Sequence, residues 1–439
     1  MNTKKVMLVY PYFYTGLKKD QLFPPLGIGM LSAILKTEAL DVMILDCTFM
    51  TTEEAVSRAE SYKPDITGLY VMTTLANNAF RIMGKLREVN PDSIYAAGGP
   101  LPTLYPERFA SDTFDCVFRG EATKSFPDFC RNYLNSSSRD RFVNGIDPAL
   151  YPGIYSVRMK ELDSQAEHLT KVELDECPIP DRSGFDHEKY QSLGNEFSGK
   201  KTASIMMTYG CPFSCDFCSK PIFGSQVRYR SLDRVFEEIK NIVSYGYDSL
   251  WIADDLFTYN EEFLRSFCER MRSEGLIITW SCLSRVDTIT NETASIMKSA
   301  GCSKVYLGIE SGNDDVLKLM NKKIDLKKVV KGVETFKNNG ISCAGFFIVG
   351  YPGETVDTIE ETFNFALSLG LDEISFNVPY PLPGSKLYER VSGISEDDWN
   401  FENETRFLYK SEFDDKWLKK RIEETKTEFL RNRERRPEA

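Results

Sequence analysis

Cys211, Cys215 and Cys218 fall within one short run, Tyr-Gly-Cys-Pro-Phe-Ser-Cys-Asp-Phe-Cys-Ser-Lys-Pro, residues 209–221. A preceding glycine and an interleaved proline put the three thiols on a tight loop. Three thiolates from one loop make a soft-ligand site, suited to zinc or to an iron–sulfur cluster. A structural zinc site needs a fourth Cys or His, yet the next cysteine is Cys268 and neither histidine is close in sequence. Three ligands on a four-iron cluster would leave one iron open to a substrate or cofactor. The plain alternative is three unrelated buried thiols, but cysteines seldom crowd so closely without a metal or a disulfide.

The Cys-x3-Cys-x-Phe-Cys pattern resembles the radical S-adenosylmethionine (SAM) superfamily. The resemblance implies a 4Fe-4S cluster on Cys211, Cys215 and Cys218, SAM chelated by the open iron, and Phe217 packed beside the adenine. It also implies reductive cleavage of SAM to methionine and a 5′-deoxyadenosyl radical.

The rest of the chain has to position that loop. A chain of 439 residues exceeds one ordinary core, so two domains are expected. The balance of 42% hydrophobic and 27% charged residues fits a globular protein. The longest apolar runs, such as residues 345–350, are too short to cross a bilayer, so no membrane partner is expected. Residues 1–6 run straight into a strand without a signal-peptide layout. Eleven cysteines then imply a reducing cytoplasm, with reduced or metal-bound thiols. A net charge of −11 argues against a nucleic-acid partner.

Before residue 135, apolar runs at 6–10, 42–46, 66–71, 94–98 and 116–119 alternate with helix-like segments at 26–36, 53–62, 77–89 and 123–134. Phe80, Met83 and Leu86 suggest one buried helical face. The pattern predicts a doubly wound, Rossmann-like parallel sheet that binds its ligand at the C-terminal strand ends. Taken alone, the glycines at those ends could equally make tight strand–helix turns. The segments Pro24-Pro25-Leu26-Gly27, Ala97-Gly98-Gly99-Pro100-Leu101-Pro102-Thr103 and Arg119-Gly120-Glu121-Ala122 resemble the cobalamin-binding domain of one large radical SAM subfamily. That subfamily includes the anaerobic magnesium-protoporphyrin IX monomethyl ester cyclases. The resemblance implies cobalamin contacts from Tyr10, Tyr12, Pro25, Leu26, Gly27, Thr73, Thr74, Gly98, Gly99, Pro100, Gly120 and Glu121. No His precedes His168, so the Asp-x-His-x-x-Gly motif of the cobalamin mutases is missing. Base-off cobalamin without a histidine ligand is therefore expected, its lower face covered by residues 10–14 or 24–27.

The expected organisation is α/β throughout. Residues 1–140 form the cobalamin-binding domain and 141–200 a linker with a short hairpin. Residues 201–384 form a partial (β/α)6 barrel, and 385–439 a helical tail. His168 and His187 fall in the linker and read as surface residues. Barrel strands are predicted at 203–208, 249–253, 276–281, 304–309, 344–349 and 373–378, with the site at their C-terminal ends. There the resemblance implies that Asp254 or Asp255 meets the SAM amino group, replacing the family's Gly-Gly-Glu segment. Arg285 follows the third strand. Glu310 and Ser311 are implied to meet the ribose, and the segment 345–354, with Gly350, to support the adenine. On residue type alone Asp254, Asp255 and Glu354 could be helix caps or first-turn acids. Cys282, Cys302 and Cys343 read as packed thiols.

The family resemblance implies a cobalamin-dependent radical SAM enzyme that methylates an unactivated carbon of a small-molecule or natural-product substrate. A flavodoxin- or ferredoxin-type protein would supply electrons. Cyclisation, rearrangement or deoxygenation without methyl transfer is the second reading. A non-catalytic iron–sulfur corrinoid shuttle is the third. The barrel has no His, and the residues name neither an acid–base catalyst nor the substrate.

Overall fold

Alternating strands and helices build two parallel sheets in the computed structural model. It describes residues 4–16, 21–38, 40–110, 113–134, 136, 139–156, 171–218, 223–394 and 406–435. The chain divides into two compact units, Met1–Lys201 with Asp233–Tyr247, and Thr202–Leu232 with Asp248–Ala439.

The first unit contains β1 (Lys5–Tyr10), β2 (Asp41–Asp46), β3 (Ile66–Tyr70), β4 (Ile94–Gly98), β5 (Cys116–Phe118) and β6 (Ile154–Tyr155). They lie in the order β2-β1-β3-β4-β5-β6, all parallel except β6, which runs antiparallel to β5. Val6, Met7, Leu8 and Val9 are all buried in β1, the continuous apolar run of a strand covered on both faces. Strand order reverses between β1 and β3, the switch point where such sheets bind ligands. Tyr10 and Tyr70 end those two strands, their rings 5.9 Å apart. Helix Thr52–Tyr62 opens with a capping box formed by Thr51 and Glu54. Helix Ala76–Val89 buries Ala79, Ile82, Met83 and Leu86.

No separate hairpin is formed by the described residues; β6 instead extends the first sheet, with Val117 opposite Tyr155. The intervening residues 157–170, with His168, lie outside the described residues. The N–H of Asp181 donates to the carbonyl of Gly29 at 2.9 Å, and Ser32 and Lys36 both reach its carboxylate at 2.7 Å. Tyr190 donates to Asp46 at 2.8 Å. This stretch is therefore bonded to helix Leu26–Thr37 and to the end of β2. His187 is half-buried rather than superficial. Its Nε2 donates to the carbonyl of Arg182 at 2.7 Å, which leaves Nδ1 to accept from the Tyr247 hydroxyl at 2.9 Å. Burial lowers its pKa, favouring this neutral tautomer.

In the second unit six strands run parallel in sequential order: β7 (Thr202–Ile205), β10 (Ser249–Ile252), β11 (Thr279–Ser284), β12 (Cys302–Glu310), β13 (Ser342–Ile348) and β14 (Glu373–Asn377). Between β7 and β10 lies a separate antiparallel pair, β8 (Thr208–Tyr209) and β9 (Arg228–Tyr229). This is the expected open (β/α)6 barrel. One strand is displaced: β11 starts at Thr279, not 276, because Leu276 and Ile277 belong to the turn after helix Glu261–Ser273, and Ile277 is fully exposed. Asn260, Thr290, Asp325 and Thr355 each cap the following helix by accepting a backbone N–H. The tail helix Asp415–Glu434 buries Leu418, Ile422 and Phe429, and its Arg421 grips Glu360 through two hydrogen bonds of 2.7 and 2.6 Å. Trp399 and Phe401, expected to pack on the barrel, lie outside the described residues. Among the described residues no helix is long and apolar enough to cross a membrane.

Candidate functional site

The cysteine loop is fastened at its base and at its rim. At the base, β8 pairs with β9, Thr208 opposite Tyr229 and Tyr209 opposite Arg228, which closes residues 210–227 into a loop. Gly210 starts it at φ +93°, and a side chain there would place Cβ 2.5 Å from the carbonyl oxygen of Gln226. Only glycine fits. At the rim, the N–H of Asp216 donates to Met320 O at 3.0 Å, and the N–H of Leu387 donates to Asp216 O at 2.8 Å. Asn321 Nδ2 donates to Ser214 O at 2.6 Å, and Arg390 reaches the Asp216 carboxylate at 3.1 Å.

Cys211 and Cys215 are half-buried and Cys218 is exposed. Their side chains share the loop, but among the described residues no three His, Cys, Asp or Glu groups close around a metal ion. The chain continues from Cys218 into residues 219–222, outside the described set. The donor chemistry fits a cluster with one open iron: three soft ligands on a fastened loop, with the cations Lys322 and Arg285 within electrostatic reach of Cys215.

Opposite the loop stands Glu310, at the end of β12, where pairing with β13 slips after Gly308. Its φ of +70° is strained for a residue with a side chain. The turn folds its carboxylate back over Gly308, where an added Cβ would lie 2.5 Å from Glu310 Oε1 and 2.8 Å from Lys322 Nζ. Lys322 Nζ donates to Glu310 Oε1 at 2.7 Å and lies 5.8 Å from the centre of the Phe217 ring. The carbonyl of Lys322 accepts from Arg285 Nη1 at 3.1 Å. Arg285 also holds Asp287 through bonds of 2.9 and 3.0 Å and stacks 3.8 Å above Phe213. Phe213, Cys215, Phe217, Arg285, Glu310 and Lys322 therefore converge. Sequence reading missed Lys322, which sits in a Met-Asn-Lys-Lys turn that looks solvated. Left-handed Asn321 and Lys323 on either side shape the turn that buries it.

Several of the expected contact residues are engaged within the fold. Asp254 is fully buried, and its oxygens accept from Met207 N at 2.7 Å, Thr208 N at 3.0 Å and Thr208 Oγ1 at 2.8 Å. It fastens the β7–β8 junction that leads into the cysteines. Burial pushes its pKa up to about 7 against the pull of those donors. Asp255 is exposed and accepts from the N–H of Gly210. Ser311 is fully buried, sharing a hydrogen bond with Thr362 at 3.1 Å and accepting from Asn313 N, so its hydroxyl is committed within the fold. Gly350, at φ +84°, is packed under Phe407, whose ring would lie 2.5 Å from an added Cβ. Glu354 accepts from Gly350 N at 2.8 Å and Tyr351 N at 2.7 Å, the turn-acid role open to it on residue type.

In the first unit, Tyr10 packs against Tyr12 as well as Tyr70, with ring centres 6.1 and 5.9 Å apart, at the switch point. Thr73 and Thr74 form the short turn before helix Ala76–Val89, with Thr74 exposed. Gly99 takes φ +107°, and a Cβ there would meet Val71 O at 2.8 Å. Thr103 Oγ1 donates to Gly99 O at 2.8 Å and accepts from Gly120 N at 2.9 Å. That hydroxyl ties the Gly98-Gly99-Pro100 turn to Gly120 and Glu121, a role sequence reading did not assign. Pro25 and Leu26 are half-buried and Gly27 exposed at the start of helix Leu26–Thr37. Cys47 and Cys116 are fully buried and burial pushes their thiols up, as packed thiols require. With both nitrogens of His187 engaged, the described residues offer no open imidazole to cobalt. The set fits a corrinoid.

Residues 205–366 match the family model of the Radical SAM superfamily, and residues 16–129 that of the B12 binding domain. The chain is 31% identical over 397 residues to the uncharacterized methyltransferase PH0819 of Pyrococcus horikoshii, covering 89% of this chain and 83% of the relative. It is 27% identical over 402 residues to the anaerobic magnesium-protoporphyrin IX monomethyl ester cyclase of Rubrivivax gelatinosus, covering 88% and 70%. The fold is similar to that of TsrM from Kitasatospora setae, a radical SAM methyltransferase solved with cobalamin and an iron–sulfur cluster. The TM-score is 0.72 at 18% identity, over 89% of this chain and 74% of that one.

Proposed function

Because this chain belongs to the radical SAM superfamily and carries its B12-binding domain, we propose that it methylates an unactivated carbon of a small-molecule substrate. The observation that carries this reading is the convergence of the fastened cysteine loop with Phe217, Arg285 and the buried Glu310–Lys322 pair, in a chain that also holds the corrinoid unit. When bound, the cluster and SAM supply a 5′-deoxyadenosyl radical that removes a substrate hydrogen, and cobalamin supplies the methyl group. Cys211, Cys215 and Cys218 would hold the cluster. Glu310 and Lys322 would meet the charged and hydroxyl groups of SAM, Phe217 its adenine, and Asp255 its amino group. Tyr10, Tyr12, Thr73, Gly98, Gly99, Pro100 and Gly120 would take the corrinoid without a histidine. The chain's own work is to bind, orient and keep water from these groups.

Cyclisation without methyl transfer is the second reading, favoured by the similarity to the Rubrivivax cyclase along most of the chain. Mass spectrometry separates the readings. Reduced enzyme, with flavodoxin or ferredoxin as electron donor, is incubated with SAM and cell extract. Methylation gives 5′-deoxyadenosine with a product heavier by one methylene. 5′-Deoxyadenosine without that gain supports cyclisation or rearrangement, and none at all leaves an iron–sulfur corrinoid shuttle.

A further inference from the structure

The two faces of the second sheet are built from different residues. Leu250, Ile252, Val305, Leu307 and Phe347 are fully buried. Phe347 stacks on Phe376, which meets Phe363 of helix Val356–Ser368, so this set lies on the face that helices cover. Neighbouring residues of a strand point to opposite faces. The other face therefore carries Trp251, Ser281, Lys304, Tyr306, Gly308 and Phe346, all of them half-buried.

The rings of Trp251 and Tyr306 lie 5.0 Å apart, although β11 separates their strands. Strand spacing alone would set them roughly 9–10 Å apart, so the side chains lean together, as on the hollow side of a curved sheet. Tyr306 stacks on Phe346 with ring centres 5.7 Å apart and planes 24° apart, whereas Trp251 stands edge-on to Tyr306 at 88°. The hollow of the open barrel thus holds an aromatic wall with a right-angled corner. A closed barrel fills this space with layers of branched aliphatic side chains. Here its middle holds rings, Ser281 and Gly308 instead, and the rings keep part of their surface open.

The wall leads to the site already described. Gly308 follows Tyr306 on the same face, and an added Cβ there would lie 2.5 Å from Glu310 Oε1 and 2.8 Å from Lys322 Nζ. The aromatic wall ends directly beneath that ion pair. Ile348, next after Phe346 on this face, packs against the same apolar cluster as Phe217. At the other end the amine of Lys304 lies 5.6 Å from the Tyr306 ring centre and pairs with Glu373, a polar floor.

Pockets for small ligands combine aromatic walls with a few polar groups, and rings associate offset-stacked or edge-to-face. A flat ring can match stacked faces and an edge-on neighbour together, which a puckered aliphatic skeleton cannot. We propose that Trp251, Tyr306 and Phe346 bind the substrate, and that the substrate carries a flat, π-conjugated ring. The inference rests on the reading of this chain as a radical SAM enzyme that holds SAM at Glu310 and Lys322. A ring seated on the wall turns its upper edge towards that pair.

The test uses full-length protein reconstituted anaerobically with iron and sulfide and supplied with SAM. Equilibrium dialysis measures binding of naphthylmethanol and of decahydronaphthylmethanol, neutral probes with one carbon skeleton, the first flat and the second puckered. The wild type should bind the flat probe about tenfold more tightly, and Tyr306→Leu should abolish most of that preference at unchanged iron content and SAM affinity. Equal affinity for the two probes, or no binding of either, overturns the proposal. So does a Tyr306→Leu protein that keeps both its iron and the full preference. Where Tyr306→Leu takes up no iron, Trp251→Leu takes its place with the same expectation. Flat-probe preference without any 5′-deoxyadenosine from cell extract keeps the wall as a binding site and overturns the enzymatic reading. A methylated extract product with no conjugated chromophore overturns the substrate class and leaves methylation standing.

Discussion

Glu310 and Lys322 meet at 2.7 Å with both side chains less than one-tenth exposed, and Glu310 reaches that position only through a left-handed backbone. A charge pair so enclosed is poorly explained by stability, since neutral side chains of similar shape would often serve as well. A zwitterionic ligand would explain it better. Lys322→Ala should cost about 3–5 kcal/mol, because it strands a buried carboxylate. The double variant Glu310→Gln with Lys322→Met should unfold near the wild-type denaturant concentration yet bind SAM at least tenfold more weakly. Wild-type SAM affinity in the double variant would reduce the pair to a structural one.

Gly210→Ala tests the fastening of the loop. The added methyl meets Gln226 O at 2.5 Å in a left-handed conformation, so the cost should exceed about 1 kcal/mol. Iron uptake on reconstitution should fall with it. Gly27→Ala, with nothing within 4 Å of the new methyl, is the control and should leave iron content unchanged.

Two buried carboxylates set a pH dependence. Burial pushes both Asp254 and Glu354 up to about 7. A raised folded-state pKa means that the folded protein takes up these protons more readily than the unfolded chain. Their contribution to stability is complete below about pH 4 and is lost as pH rises towards 7, by at most about 1.4 kcal/mol per pH unit for each proton. Urea midpoints should therefore fall between pH 5 and pH 7.5, and Glu354→Gln should flatten that slope. An unaltered slope in both Glu354→Gln and Asp254→Asn would assign the pH dependence to other groups.

His187 should be silent towards cobalt. Its two ring nitrogens are committed to Arg182 and Tyr247. The cobalt(II) form should show no nitrogen superhyperfine triplet in electron paramagnetic resonance, and His187→Phe should leave the cobalamin absorption spectrum as it was. A triplet abolished by that substitution would make His187 the axial base.

The architecture was legible because both units repeat a signal that burial imposes. Apolar runs such as Val6–Val9 mark strands covered on both faces, and the cysteine spacing marks the loop between β8 and β9. What escaped depended on direction rather than on residue type. Asp254 and Asp255 are adjacent acids at one strand end, yet one turns inward to two backbone N–H groups and the other stays exposed. Lys322 reads as a solvated lysine until the left-handed turn around it buries the amine. The third barrel strand was misplaced by Leu276 and Ile277, whose hydrophobicity outweighed the turn signal of Gly275 at φ +64°. In the linker, polar composition hides Asp181 and Tyr190, whose side chains bond to helix Leu26–Thr37 and to Asp46 at the end of β2.

The cysteine loop is held at its rim by residues made long after it. Arg390, which reaches Asp216, is 174 positions further along the chain. Phe407, seated on Gly350, comes later still. At a synthesis rate of roughly 5–20 residues per second, the loop waits about 10–35 seconds on the ribosome before its last fasteners exist. A chain cut short before Arg390 would keep the cysteine loop's grips from β9, Met320 and Asn321 but lack the guanidinium that reaches the Asp216 carboxylate.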